Sequence, residues 1–119
     1  MGILFKVHNK LGPSLLEKHY QRAVAKELGS QKIPYKREIS IYLQYEGENI
    51  GKYFLDFTID EKIILELKAE KYNNPIFFKQ VLSYLKQTHL PLAILANFRR
   101  EKLEYRRIIN AEYKDQPFE

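Results

Sequence analysis

Tyr53-Phe54-Leu55-Asp56-Phe57-Thr58-Ile59, a short gap, then Ile63-Ile64-Leu65-Glu66-Leu67-Lys68-Ala69: the reading of these two runs decides the fold. Both are rich in β-branched and aromatic residues, and the second is apolar almost throughout, as a strand covered on both faces would be. Asp60-Glu61-Lys62 between them reads as a three-residue hairpin loop centred on Glu61. Ile59 then faces Ile63, and Asp56 falls opposite Glu66. Directly opposed residues of an antiparallel pair share a face, and Lys68, two residues beyond Glu66, points the same way. Two carboxylates and an ammonium thus meet inside runs that otherwise want burial. A charge there is costly unless it is paired or holds a metal.

Upstream, Ile39, Ile41 and Leu43 alternate with Ser40, Tyr42 and Gln44, which predicts a strand over 37–45. Glu46-Gly47-Glu48-Asn49 reads as a turn into a second strand over about 50–59, and the third strand covers about 62–69. Residues 3–10 predict a short helix stopped at Leu11-Gly12-Pro13. Ser14-Leu15-Leu16-Glu17 has the S-x-x-E form of a capping box. Leu16, Tyr20, Ala23, Val24 and Leu28 follow at helical spacing, with Gly29 as the stop. Downstream, Asn74 caps a helix opened by Pro75 that runs to about Thr88, with Phe77, Val81, Tyr84, Leu85 and Thr88 on one side. Pro91–Asn97 reads as a buried strand and Tyr105–Ile109 as an edge strand. The order is α-β-β-β-α-β: an α/β single domain over residues 1–119, its mixed sheet flanked by helices.

Composition sets bounds. A chain of 119 residues, 45% apolar and 29% charged, is long enough to bury one core. The excess of 20 Lys and Arg over 15 Asp and Glu gives +5, which fits a polyanionic partner without requiring one. With no cysteine, thiolate metal sites and a cysteine nucleophile are excluded. No apolar run approaches the ~20 residues of a membrane span, and Met1-Gly2-Ile3-Leu4-Phe5-Lys6 is too short an apolar start for a signal peptide. The expected compartment is the cytoplasm.

Asp56 and Glu66 would repel each other, and both can stay ionised if a divalent cation lies between them. Oxygen donors alone suit Mg²⁺ or Mn²⁺. Such an ion acidifies a water and holds a phosphate oxygen, while Lys68 orients the attacking water or steadies charge at phosphorus. This D…E-x-K spacing is that of a metal-dependent phosphodiesterase. The other reading of the same residues is a plain buried ion cluster. His8, His19 and His89 have no metal-ligand spacing and read as surface residues. Arg99, Arg100, Lys102, Arg106 and Arg107 could track a phosphate backbone or form a solvated edge that protects the last strand.

The set of words goes further. Val7-His8-Asn9-Lys10-Leu11-Gly12-Pro13-Ser14-Leu15-Leu16-Glu17-Lys18-His19-Tyr20, Leu55-Asp56, Ile64-Leu65-Glu66-Leu67-Lys68-Ala69, Gln80-Val81-Leu82-Ser83-Tyr84-Leu85 and Ile94-Leu95-Ala96-Asn97-Phe98 together resemble the small GxxExxY group of the PD-(D/E)XK nuclease superfamily. The group's glycine falls at Ser14, while Glu17 and Tyr20 match, and the chain's start is short for the group. The resemblance implies a Mg²⁺-dependent nuclease acting on DNA, with Asp56, Glu66 and the backbone carbonyl of Leu67 as metal ligands. Glu17 would be the extra acidic group, reaching the metal directly or through water, unless it serves the capping box. Gln80 and Tyr84, four apart on one helix face, would brace the site or touch the nucleic acid. The alternative on the same fold is a non-catalytic nucleic-acid-binding or regulatory module. A homodimer would let so small a domain span a duplex.

Overall fold

The computed structural model describes residues 1–113 of the chain. Its elements are α1 (Gly2–Leu11), α2 (Glu17–Ser30), β1 (Tyr35–Tyr45), β2 (Glu48–Ile59), β3 (Ile63–Lys68), α3 (Pro75–Thr88), β4 (Leu92–Asn97) and β5 (Glu104–Ile109). The five strands lie in sequence order in one mixed sheet. β3 and β4 are parallel, with α3 as their crossover, and the other neighbours are antiparallel.

Two apolar clusters fill the two faces. On one, Val24 and Leu28 of α2 and Leu4 and Val7 of α1 pack on Phe57, Leu65, Leu67, Ile94 and Ala96. On the other, Val81, Tyr84 and Leu85 of α3 pack on Ile41, Leu55, Ile64 and Ala93. Leu65 and Leu67 lie on one face of β3 and Ile64 on the other, so this strand is covered on both sides as its composition predicts.

The expected turn chemistry appears at both hairpins. Glu46 and Gly47, at φ 47° and 84°, make the left-handed two-residue turn between β1 and β2. Asp60 and Glu61 are left-handed in the next loop, and Ile59 pairs with Ile63 in the predicted register. At α3 the Asn74 side chain accepts from the Ile76 N–H at 3.0 Å, and Pro75 opens the helix.

The start of α2 differs from the capping-box expectation. Leu16, not Ser14, stands at the cap position, and Glu17 is the first helical residue. The linker is governed by Tyr20 instead. Its hydroxyl donates to the Gly12 carbonyl at 2.5 Å and accepts from the Leu15 N–H at 3.2 Å. That anchoring draws residues 12–15 back along the helix, and the Leu16 N–H is taken up by His19 Nδ1 at 3.2 Å. Leu16 is consequently exposed, and α2 continues one residue past Gly29.

A second departure lies where β1 and β2 pass the site. The ladder runs through Arg37↔Phe57 to Ile39↔Leu55, with Glu38 between them at φ 52°. Phe57 packs against α1 and α2, whereas Leu55, two residues away, packs against α3. Regular alternation would put both on one face. The strands therefore switch faces at Glu38 and Asp56. β1 and β2, 11 and 12 residues long against six for each other strand, continue beyond the switch as a two-stranded ribbon.

Tyr20 offers a direct test of the linker. It is fully buried and stacks on Phe98 with ring centroids 4.5 Å apart. Tyr20→Phe keeps the ring and removes both hydroxyl bonds. It should destabilise the fold by roughly 1–3 kcal/mol in urea denaturation. Unchanged stability would show that the linker is held by other contacts.

Candidate active site

The β2–β3 ladder stops at Phe57↔Leu65, one pair short of Asp56 and Glu66. There the side chains take over the role of the backbone. Glu66 Oε1 accepts from the Asp56 N–H at 2.9 Å, and Asp56 Oδ2 accepts from the Leu67 N–H at 2.8 Å. Each carboxylate reaches across to the other strand, so the two are crossed and locked. One oxygen of each is held by backbone.

Lys68 ends β3, opposite Asn97 of the parallel strand β4. Its Nζ lies 4.5 Å from the centre of the Phe77 ring of α3. Its charge acts on Glu17, Asp56 and Glu66 alike. Glu17 enters from the first turn of α2, and no cap bond ties its side chain there. The structure thus brings Glu17, Asp56, Glu66 and Lys68 together.

Their protonation reflects crowding without enough positive charge. Burial, and then the charge of Asp56, push the Glu66 carboxyl up to about 8. Burial also raises Asp56, against the lowering effects of the Leu67 N–H, Lys68, Gln21 and Arg37. Glu17 is raised by burial and by Asp56 and Glu70, with Lys68 opposing. Tyr84, buried on α3 with its ring 5.2 Å from Tyr53, is pushed up to about 12 by burial, Glu66 and Tyr53. Gln80 is half-buried on α3, four residues before Tyr84.

The donor set suits a hard divalent cation. It consists of carboxylate oxygens with the Leu67 carbonyl in the same strand, and has no nitrogen or sulfur. Among the described residues no group of three or more His, Asp or Glu forms a ready cage. Mg²⁺ does not need one. It keeps several waters and is held by one or two carboxylates plus substrate phosphate.

The basic residues divide. Arg99, Arg100 and Lys102 are exposed in the β4–β5 connection, where Arg100 Nε lies 3.4 Å from Glu104. On β5, Arg106 is opposite Leu95 and Arg107 opposite Ile94. Leu95 packs toward α3 and Ile94 toward α1 and α2, so the two arginines face opposite sides of the sheet.

His8 is not a surface residue. It is 4% exposed, and its Nε2 is 2.7 Å from the Arg100 carbonyl, which ties α1 to the basic loop. His19 serves the start of α2, and exposed His89 ends α3 in the left-handed conformation.

Sequence reasoning assigns no role to three residues at or beside the site. Gln21, one turn after Glu17, lies near enough to Asp56 to lower its carboxyl. Arg37 lies near enough to act on Asp56 while its guanidinium sits 5.4 Å from the Phe57 ring. Buried Asn97 bonds the Glu70 N–H and carbonyl, the Arg99 N–H and Asn73, which fixes the chain leaving Lys68. Only for Gln21 does a clue exist, its i+4 spacing from Glu17.

A scan of protein-family models matches residues 1–108 to the PD-(D/E)XK nuclease superfamily. The chain belongs to this superfamily, and the match includes every site residue described above. Membership implies a nucleic-acid partner and the divalent-metal chemistry typical of such nucleases. Searches of curated proteins and of solved structures gave no match. Among the described residues no helix is long and apolar enough to cross a membrane.

The raised Glu66 carboxyl predicts a pH-dependent stability. Folded protein holds a proton that the unfolded chain has released, so this stabilisation is complete below the ordinary carboxyl range of ~4.5 and is lost as pH rises toward about 8. In chelator, the melting temperature should fall between pH ~5 and ~8. Glu66→Gln, which keeps the acceptor for the Asp56 N–H, should remove most of that fall. Mg²⁺ should restore stability more at the higher pH, because ligation requires ionised carboxylates. A slope identical in wild type and Glu66→Gln would contradict the assignment.

Proposed function

We propose that this chain is a Mg²⁺- or Mn²⁺-dependent nuclease of the GxxExxY group that hydrolyses phosphodiester bonds in DNA. The observation that carries this reading is the gathering of Asp56, Glu66 and Glu17, all with raised carboxyl pKa values, around a single lysine. Left alone, such a cluster is electrostatically short of cations; a bound divalent ion corrects the shortage.

Asp56, Glu66 and the Leu67 carbonyl would hold the ion, with Glu17 reaching it directly or through water. When bound, the ion supplies Lewis acidity to a phosphate oxygen and a more acidic water. Lys68, held against Phe77, donates hydrogen bonds to the attacking water or to the oxygens that gain charge as the P–O bond breaks. Water attacks in line, its proton passes to solvent or a neighbouring carboxylate, and the leaving oxygen departs from phosphorus. Gln21 orients Asp56. Tyr84 backs Glu66 from α3, and Gln80 on the same helix braces the site. Arg99, Arg100, Lys102, Arg106 and Arg107 bind phosphates of the substrate. Because Arg106 and Arg107 lie on opposite faces, a strand crossing the Lys68 side uses Arg106.

Cleavage of a labelled DNA panel with Mg²⁺ or Mn²⁺ tests the proposal. Lys68→Ala should slow cleavage by about two to three orders of magnitude and leave affinity nearly unchanged. Removing Arg99 and Arg100 together should do the reverse: affinity falls, and the salt slope shrinks by about 0.9 for each phosphate no longer neutralised. Wild-type protein that binds DNA and never cuts it with either metal would replace the nuclease by a binding module.

A further inference from the structure

Beside Lys68 the surface opens into a cavity of about 390 Å³ between α3 and the β4–β5 end of the sheet. Phe77 and Phe78 form its α3 wall, Leu95 its floor, and Lys68, Lys79 and Arg106 bring positive charge to it. Two of these cations stand on the aromatic wall. Lys68 Nζ is 4.5 Å from the Phe77 ring centre, and the Arg106 guanidinium carbon is 4.3 Å from that of Phe78. Each cation thus lies over a ring, so the wall presents ammonium and guanidinium groups backed by aromatic surface.

At the polar rim, Asn97 is spent. The Asn97 side chain accepts from the Glu70 and Arg99 N–H groups and donates to the Glu70 carbonyl and Asn73, which exhausts two lone pairs and two hydrogens. Asn73 also donates to Glu104, and Glu104 pairs with Arg100. Asn97 is therefore not free to read a base edge, and stacking on the wall is open to every base.

We infer that this cavity takes one nucleotide next to the scissile phosphate, extruded from any helical stack, and takes it without base preference. The inference rests on the proposed nuclease reading, because Lys68 serves both sites. The volume lies within the ~300–1,000 Å³ range of small-ligand sites. A nucleotide supplies the matching pair of features: a flat base for the Phe77–Phe78 wall and an anionic phosphate for Lys68 and Arg106. A base inside an intact duplex cannot enter, since it would have to leave its partner and its stack. The preferred substrate class is therefore single-stranded DNA or a frayed end.

The test is equilibrium binding of fluorescein-labelled oligothymidine, oligoadenine and a blunt duplex, measured in chelator so that nothing is cut. Wild type should bind the single strands at least about tenfold more tightly than the duplex, and the two single strands within about threefold of each other. Phe78→Leu should weaken single-strand binding about tenfold and leave duplex binding little changed, and Arg106→Gln should weaken single-strand binding about tenfold. Arg107→Gln removes the same charge from the opposite face and should weaken it less. Arg106 is an exposed strand position, so Arg106→Gln carries the test if Phe78→Leu fails to fold. A duplex bound as tightly as single strands, or both pocket variants binding single strands as wild type does, overturns the cavity assignment and leaves the nuclease reading standing. Single-strand binding that depends on Phe78 and Arg106, in a protein that cuts nothing with Mg²⁺ or Mn²⁺, overturns the nuclease reading and keeps the nucleotide site.

Discussion

Two carboxylates that cross between neighbouring strands are the constraint on which the rest of the structure depends. Where the β2–β3 ladder ends, Glu66 takes the Asp56 N–H and Asp56 takes the Leu67 N–H. Each bond answers two demands at once. It satisfies a backbone donor that has lost its carbonyl partner, and it gives a desolvated carboxylate a fixed hydrogen bond. The hairpin register follows from the same pairing. A slip of one residue would carry Glu66 to the opposite face and leave its charge against α1 and α2 without the Asp56 N–H.

Elements on both faces converge on this break. The face switch at Glu38 and Asp56 lets Phe57 serve the α1–α2 core and Leu55 the α3 core, and it leaves Asp56 in the gap between them. From α2 come Glu17 and Gln21, positioned by the Tyr20 anchor one turn away. From α3 come Tyr84 behind Glu66 and Phe77 beneath Lys68. Asn97 completes the frame by holding the chain on both sides of the parallel strand ends. The polar site is supported by packing on both faces of the sheet, so its geometry is set by rigid elements and not by a loop.

Much of this was legible in the sequence because it is local. Period-two alternation marks β1, the Asn74-Pro75 pair marks the start of α3, and a loop centred on Glu61 sets the register of Asp56 and Glu66. What was not legible depends on partners distant in sequence. Ser14 looks like a cap because the S-x-x-E word is local, but Tyr20 claims the linker instead. His8 looks like a surface residue until α1 docks beside the Arg100 carbonyl, 92 residues away. The switch at Glu38 has no glycine to announce it, since a glutamate occupies the left-handed position. Arg37 and Asn97 join the site region only once the sheet is assembled.

The crossed bonds also turn two main-chain groups into native sensors. The Asp56 and Leu67 amide protons are held by ionisable side chains and not by peptide carbonyls. An amide proton's resonance frequency and its rate of exchange with solvent respond to the charge of its acceptor. These two nuclei therefore report the ionisation of the site from within the backbone, residue by residue and without any attached probe group. A spectrum of the uniformly enriched protein would read proton loss, cation capture and strand separation as distinct displacements of the same two signals.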